Sequence, residues 1–227
     1  VEYTATPQAL LLSSRDQNTS PQWARIISPG EKYVGTSLLF SETSKSKKTI
    51  PEKEIFKGTD NIEVLPNSFY SALFSFLIVA AQKLLTPEKF GKTISMMVHP
   101  DRAVNSHLNW GEMIEEEFKD WAEDISKYGS KKFLQENIKR LRIAYENLYD
   151  SGNNKDISSF DALIENIPGI IQLTKITTLN ADSSNENSRK KVKWDKSQFH
   201  IVIGGDLLDR GFVVKGLVTT YMPRSKG

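Results

Sequence analysis

The chain has no cysteine among its 227 residues, which excludes a disulfide framework and any thiolate metal site, and is easiest to reconcile with a reducing, cytoplasmic compartment. Neither sign of charge dominates. Against 30 Lys and Arg stand 28 Asp and Glu, a net +2, so total charge does not argue for nucleic acid and only a local concentration of Lys and Arg could. No apolar run reaches the roughly 20 residues that a membrane span needs. The strongest candidate, Phe69 to Ala81, carries Ser71 and Ser75 and stops at Gln82 and Lys83, so it reads as a buried core helix and no membrane partner is expected. A basic-then-apolar leader is also lacking, and the first residue is Val1, so the start reads as a cut through a longer protein. With 38% hydrophobic and 26% charged residues, what remains is an ordinary globular composition, enough for one core with attachments.

Periodicity and punctuation then divide the chain. Val1 to Leu12 reads as a strand end and turn interrupted at Pro7. Arg15 to Pro29 reads as loop, Tyr33 to Phe40 as a short apolar segment, and Glu42 to Lys57 as a solvated connection, which places a boundary between residues 58 and 59. Asn67 or Ser68 is expected to cap a helix that runs to about Leu85. Thr93 to His99 fits a central parallel strand, ended by Pro100. Ile114, Phe118, Trp121, Ile125 and Tyr128 recur at alternating spacings of four and three, as do Leu134, Ile138, Leu141, Tyr145 and Leu148. Such stripes predict two amphipathic helices packed on a core. Ile170 to Leu179 reads as a strand, Asn180 to Ser188 as a loop, Phe199 to Ile203 as an apolar strand and Leu217 to Met222 as a last strand closed by Pro223. The alternation favours an α/β layer fold with a mainly parallel sheet.

The most informative segment is His200 to Phe212. A buried strand leads into Gly204-Gly205, which lets another backbone approach, and then into a short turn bearing Asp206, Asp209, Arg210 and Gly211. The carboxyl end of a parallel strand is where open sheets bind ligands. An isolated match of this kind also allows Arg210 merely to pair with Asp206 or Asp209. His99 and Arg102, at the end of the Thr93 strand, are candidates to meet phosphates, with a satisfied histidine and a surface arginine as the alternative. Arg189, Lys190, Lys191 and Lys193 with Trp194 have a basic-plus-aromatic character, read here as solvated loop charge. No metal site is expected, because His99, His107 and His200 show no ligand-like spacing.

Asp206-x-x-x-Arg210-Gly211 resembles the fifth motif of superfamily-two helicases, and Tyr3-Thr4-Ala5-Thr6-Pro7 resembles the third, with Ser95 to Arg102 similar to the region of the fourth. The joint order of Tyr3 to Ala9, Pro29 to Gly35, Leu65 to Gln82, Ser95 to His99, His107, Ile203 to Gly216, Tyr221, Arg224 and Ser225 looks most like the Z-one domain family. These are helicase-related ATPase modules of bacterial and phage-associated proteins, proposed to act with nucleases. The resemblance implies a RecA-like, P-loop-NTPase-type fold, incomplete at both ends. Residues 1–58 would end a first lobe, and 59–227 would form most of a second, with a helical insertion at 109–166. It implies catalytic coupling through Thr4, Thr6 and Arg210, nucleotide contacts from Asp209, Arg210 and Gly211, and nucleic-acid contacts from His99, Arg102, Gly205 and Asp206. The implied cofactors are ATP and magnesium in the complete parent protein. The implied partners are nucleic acid, DNA before RNA, the upstream lobe and a nuclease domain or protein.

Two positions depart from these patterns. Val213 stands where helicases carry an acid, and Asp209 where the Z-one pattern shows Ser. The sequence contains no Gly-x-x-x-x-Gly-Lys-Ser/Thr loop, so this chain by itself is not expected to hydrolyse ATP. Two other readings stay open. One is a nuclease domain, for which Asp101 is a starting acid without a convincing Glu-x-Lys strand after it. The other is a scaffold or DNA-binding module with a decayed helicase fold.

Overall fold

The structure, a computed structural model, describes residues 30, 47–55, 62–101, 103–149, 157–179, 192–205, 208 and 212–224. The chain divides into two compact units, Val1–Lys48 and Thr49–Gly227, and the described elements lie in the second. Thr4, Thr6, Arg102, Asp206, Asp209, Arg210 and Gly211 fall outside the described residues, as do the segments expected at Val1 to Leu12, Tyr33 to Phe40 and Asn180 to Ser188.

The first helix, α1 (Asn67–Leu85), begins where Pro66 presets an extended backbone. The expected cap is not the one used. Asn67 and Ser68 already lie inside the helix, whose start has no side-chain cap of its own. Instead the Ser68 amide donates to Glu54 Oε2 at 2.8 Å, a carboxylate brought in from a short 3-10 turn at Glu52–Glu54. A negative group there also suits the helix dipole. Apolar side chains cover α1 on nearly every side, and Phe69, Leu73, Phe74, Phe76, Leu77 and Ile78 are all fully buried. It meets the length and composition of a membrane span, but its neighbours are sheet and helix: it packs on β1 (Ile94–Val98), on β4 (Leu217–Tyr221) and on three of the helices described below.

Helix α2 (Val104–Tyr128) and helix α3 (Ser130–Tyr149) form the expected pair, joined at Gly129. Gly129 has φ 74°, a left-handed conformation that glycine adopts without a Cβ penalty. α2 starts ten residues before the predicted stripe, and its first half buries Trp110 edge-on to Phe69, with ring centroids 5.6 Å apart. Farther along, Trp121 meets Phe133 of α3 at 5.2 Å. The ends of both predicted stripes, Tyr128 and Leu148, are exposed, while Tyr149 closes the last turn of α3 against the core.

After α4 (Phe160–Ile164) comes an element that the sequence reading caught only in part. Residues expected to form a strand from Ile170 to Leu179 divide into a helix, α5 (Ile167–Leu173), and a shorter strand, β2 (Lys175–Leu179). Pro168 sits in the opening turn of α5, where its missing N–H costs nothing. Thr174 then turns the backbone to extended.

With β3 (Phe199–Gly204) the strands form a four-stranded sheet in the order β2-β3-β1-β4, parallel at every pairing. The fold is therefore α/β with a parallel sheet. β3 lies between β1 and β2, in register Met96↔Ile201 and Ile176↔Ile201, and all six of its residues are buried. A strand covered on both faces reads as an unbroken apolar run. The two faces differ in what covers them. Ile94, Met96, Val98, Phe199, Ile201 and Ile203 join the main core with α1 to α5. Val202 and Leu179 join a small cluster with Val192, Leu208, Met97, Trp194, Phe212 and Val214, which draws on no residue of the described α-helices.

Candidate functional site

The carboxyl edge of this sheet is set by two neighbouring strands whose continuations part. β1 leads through His99, Pro100 and Asp101 to α2, which packs in the main core. β3 leads through Gly205 and Leu208 to Phe212 and Val214, which pack on the opposite face. Adjacent strands whose connections leave in opposite directions create a crevice outside their carboxyl ends, the usual ligand position in open parallel sheets.

Its floor is tightly built. Gly205 approaches the first turn of α2 so closely that a Cβ there would lie 2.6 Å from His107 Cε1 and 3.1 Å from the Asp101 carbonyl oxygen. The glycine is required at that point, as the Gly204-Gly205 pair suggested. His107 is 3% exposed, and its Nε2 sits 2.7 Å from the Asp101 carbonyl oxygen. A carbonyl only accepts, so Nε2 carries the proton. Its Nδ1 and the neighbouring Ser106 Oγ are buried and make no hydrogen bond.

His99 is fully buried. Its amide donates to the Tyr221 carbonyl at 2.9 Å, extending the β1–β4 ladder by one bond. Its Nε2 lies 3.2 Å from Nη1 of Arg224. Guanidinium groups only donate, so Nε2 accepts and the imidazole is neutral, with its proton on Nδ1. Arg224 follows the end of β4, and sheet order brings it to a histidine 125 residues away in sequence.

A second polar chain reaches the same edge. Tyr221 OH and Ser68 Oγ are 2.8 Å apart, and the Ser68 amide is held by Glu54. Hydrogen bonds from Ser68 keep the Glu54 carboxyl below its ordinary value. Burial pushes the Tyr221 phenol up to about 12, so it stays protonated and neutral at physiological pH.

Of the proposed site residues, then, His99 and Gly205 stand at the crevice, while the other seven lie outside the described residues. His107 and Arg224 were not singled out as site residues; their signal was their place in the Z-one pattern. His200 belongs elsewhere. It sits near the start of β3 on the smaller-cluster face, edge-on to Trp194 at 5.0 Å, with Nε2 3.0 Å from the Ser197 carbonyl oxygen. Trp194, part of the basic-plus-aromatic run, is thus half-buried packing. No group of three or more His, Asp and Glu side chains suited to a metal comes together among the described residues.

The model of one protein family, the Z1 domain, matches residues 68–227. No curated protein and no solved structure matches the chain.

Proposed function

We propose, on the premise that this chain belongs to the Z1 domain family, that it is the second-lobe part of a nucleic-acid-dependent ATPase of helicase or translocase type. In that reading the sheet is RecA-like, the first unit ends the preceding lobe, and DNA is the polymer gripped. The observation that carries it is the crevice between β1 and β3, because the segment holding Asp206, Asp209, Arg210 and Gly211 leaves from a central strand at its carboxyl end. His99 and Arg102, with Gly205 and Asp206, would meet the nucleic-acid backbone from the two departing segments. Arg224, tied to His99, adds a guanidinium to that edge.

The residues present do not suffice for the nucleotide. No phosphate loop occurs in the chain, so ATP and magnesium belong to the complete parent protein, where Thr4 and Thr6 would couple hydrolysis to grip. The chain's own share is the polar edge that a bound nucleotide or a backbone phosphate would meet. In the full-length protein, Arg210→Ala is expected to abolish DNA-stimulated ATP hydrolysis while leaving the fold intact by circular dichroism. Normal stimulated turnover in that variant would reject the assignment.

A further inference from the structure

The α2–α3 hairpin carries its charge in two blocks. Between Glu112 and Glu123 stand six acids, Glu112, Glu115, Glu116, Glu117, Asp120 and Glu123, against Lys119 alone. From Asp124 to Glu136, around the turn, three lysines stand between two bordering acids, Asp124 and Glu136. Those lysines, Lys127, Lys131 and Lys132, are exposed, and the ring between them, Tyr128, is 55% exposed. Lys127 Nζ and Lys132 Nζ each lie 5.0 Å from the centre of the Tyr128 ring. Two ammonium groups that repel each other are thus collected on one aromatic quadrupole. Lys132 is also held 2.7 Å from Asp124 Oδ2, which fixes its stem. Lys131 and Lys132 occupy the opening turn of α3, where the helix dipole favours acids. Asp124 and Glu136 beside Lys132 favour its charged form, so the turn carries a cationic tip with an acid at each border. Tyr128 lies one turn beyond Ile125, the last side chain of α2 that packs against the main core.

We propose that this hairpin tip is a second, sequence-independent contact for a nucleic-acid backbone, separate from the crevice at the sheet's carboxyl edge. The inference rests on the nucleic-acid reading above. Size decides between a polymer and a protein as the occupant. A stable protein interface needs about 800 Å² on each side, and one centred here would have to cover the acidic stretch of α2 as well. A phosphodiester backbone presents a narrow row of charges, so it can touch three lysines at a turn and leave the acids facing water. Lysine, a flexible point charge, suits such contacts without base readout.

The test uses the full chain and fluorescence anisotropy with a labelled single-stranded DNA, titrated at several salt concentrations. Replacing three phosphate-contacting lysines, Lys127→Gln, Lys131→Gln and Lys132→Gln together, is expected to weaken binding at low salt by about tenfold or more and to flatten the logarithmic salt dependence by about 2. Because all three are exposed, the melting temperature should hold. Tyr128→Leu, which releases the gathered ammoniums, is expected to give part of the loss, and arginine at the three positions should restore it. If wild-type chain binds and the triple glutamine variant matches its affinity and salt slope, the tip has no such role and the crevice reading stands. If wild-type chain binds no DNA, the crevice reading fails and the tip falls with it. Competition by polyglutamate as effective as by unlabelled DNA would overturn the choice of nucleic acid.

Discussion

Position 205 shows how little freedom the crevice floor has. A methyl group there meets the His107 ring and the Asp101 carbonyl, and the ring is pinned by its own hydrogen bond. Gly205→Ala is therefore expected to cost about 1–3 kcal/mol, the range for overpacking a closed site. The urea midpoint should fall with the slope unchanged, and His107→Ala in the same chain should return part of the loss. An unshifted midpoint would mean that the close approach does not exist in solution. His200 makes a different prediction. Burial lowers its pKa from the ordinary 6.5, so in the window just below that value the unfolded chain binds a proton that the folded chain does not. Stability should then fall as the pH is lowered through about 6.5, and His200→Gln should remove that part of the slope in urea titrations.

At the scale of elements, α1 depends on a carboxylate from outside itself. Glu54→Ala leaves the Ser68 amide, in the opening turn of a long apolar helix, without its acceptor, at an expected cost of about 1 kcal/mol, with Glu54→Gln nearer to wild type. That dependence was not legible, because a cap from a residue fourteen positions away has no local signature, and Asn67 and Ser68 supplied a plausible local one. The strands were legible. Thr93 to His99, Phe199 to Ile203 and Leu217 to Met222 are short apolar runs with breakers beside them, and the sheet contains all three within a residue or two. Ile170 to Leu179 failed because a short apolar run fits a buried helix as well as a strand; Pro168 was the clue to a helical start. The opening of α2 was hidden for another reason. Ser106 and His107 are buried there as polar residues, and Gly111 is buried with no side chain, seated so closely on β2 that a Cβ would collide with Thr178 Oγ1, so no hydrophobic stripe announces that face. Of the site, strand ends such as His99 and Gly205 could be read from sequence, whereas the pairing of His99 with Arg224 follows only from sheet order.

For the molecule as a whole, the main core, among the described residues, is assembled from residues after Lys48. Residues 49–227 produced alone are expected to unfold in one cooperative transition, with no large shift in midpoint from the whole chain. A broad or multistep transition would show that the first unit completes that core. The sheet's uneven covering has its own consequence. Trp194 belongs to the small cluster that also seats Leu208 and Phe212, the two residues bracketing Asp209, Arg210 and Gly211 in sequence. An indole is thereby packed in one cluster with Leu208 and Phe212. Once separated from that of the chain's three other tryptophans, its emission colour becomes a built-in gauge of whether Leu208 and Phe212 keep their seats.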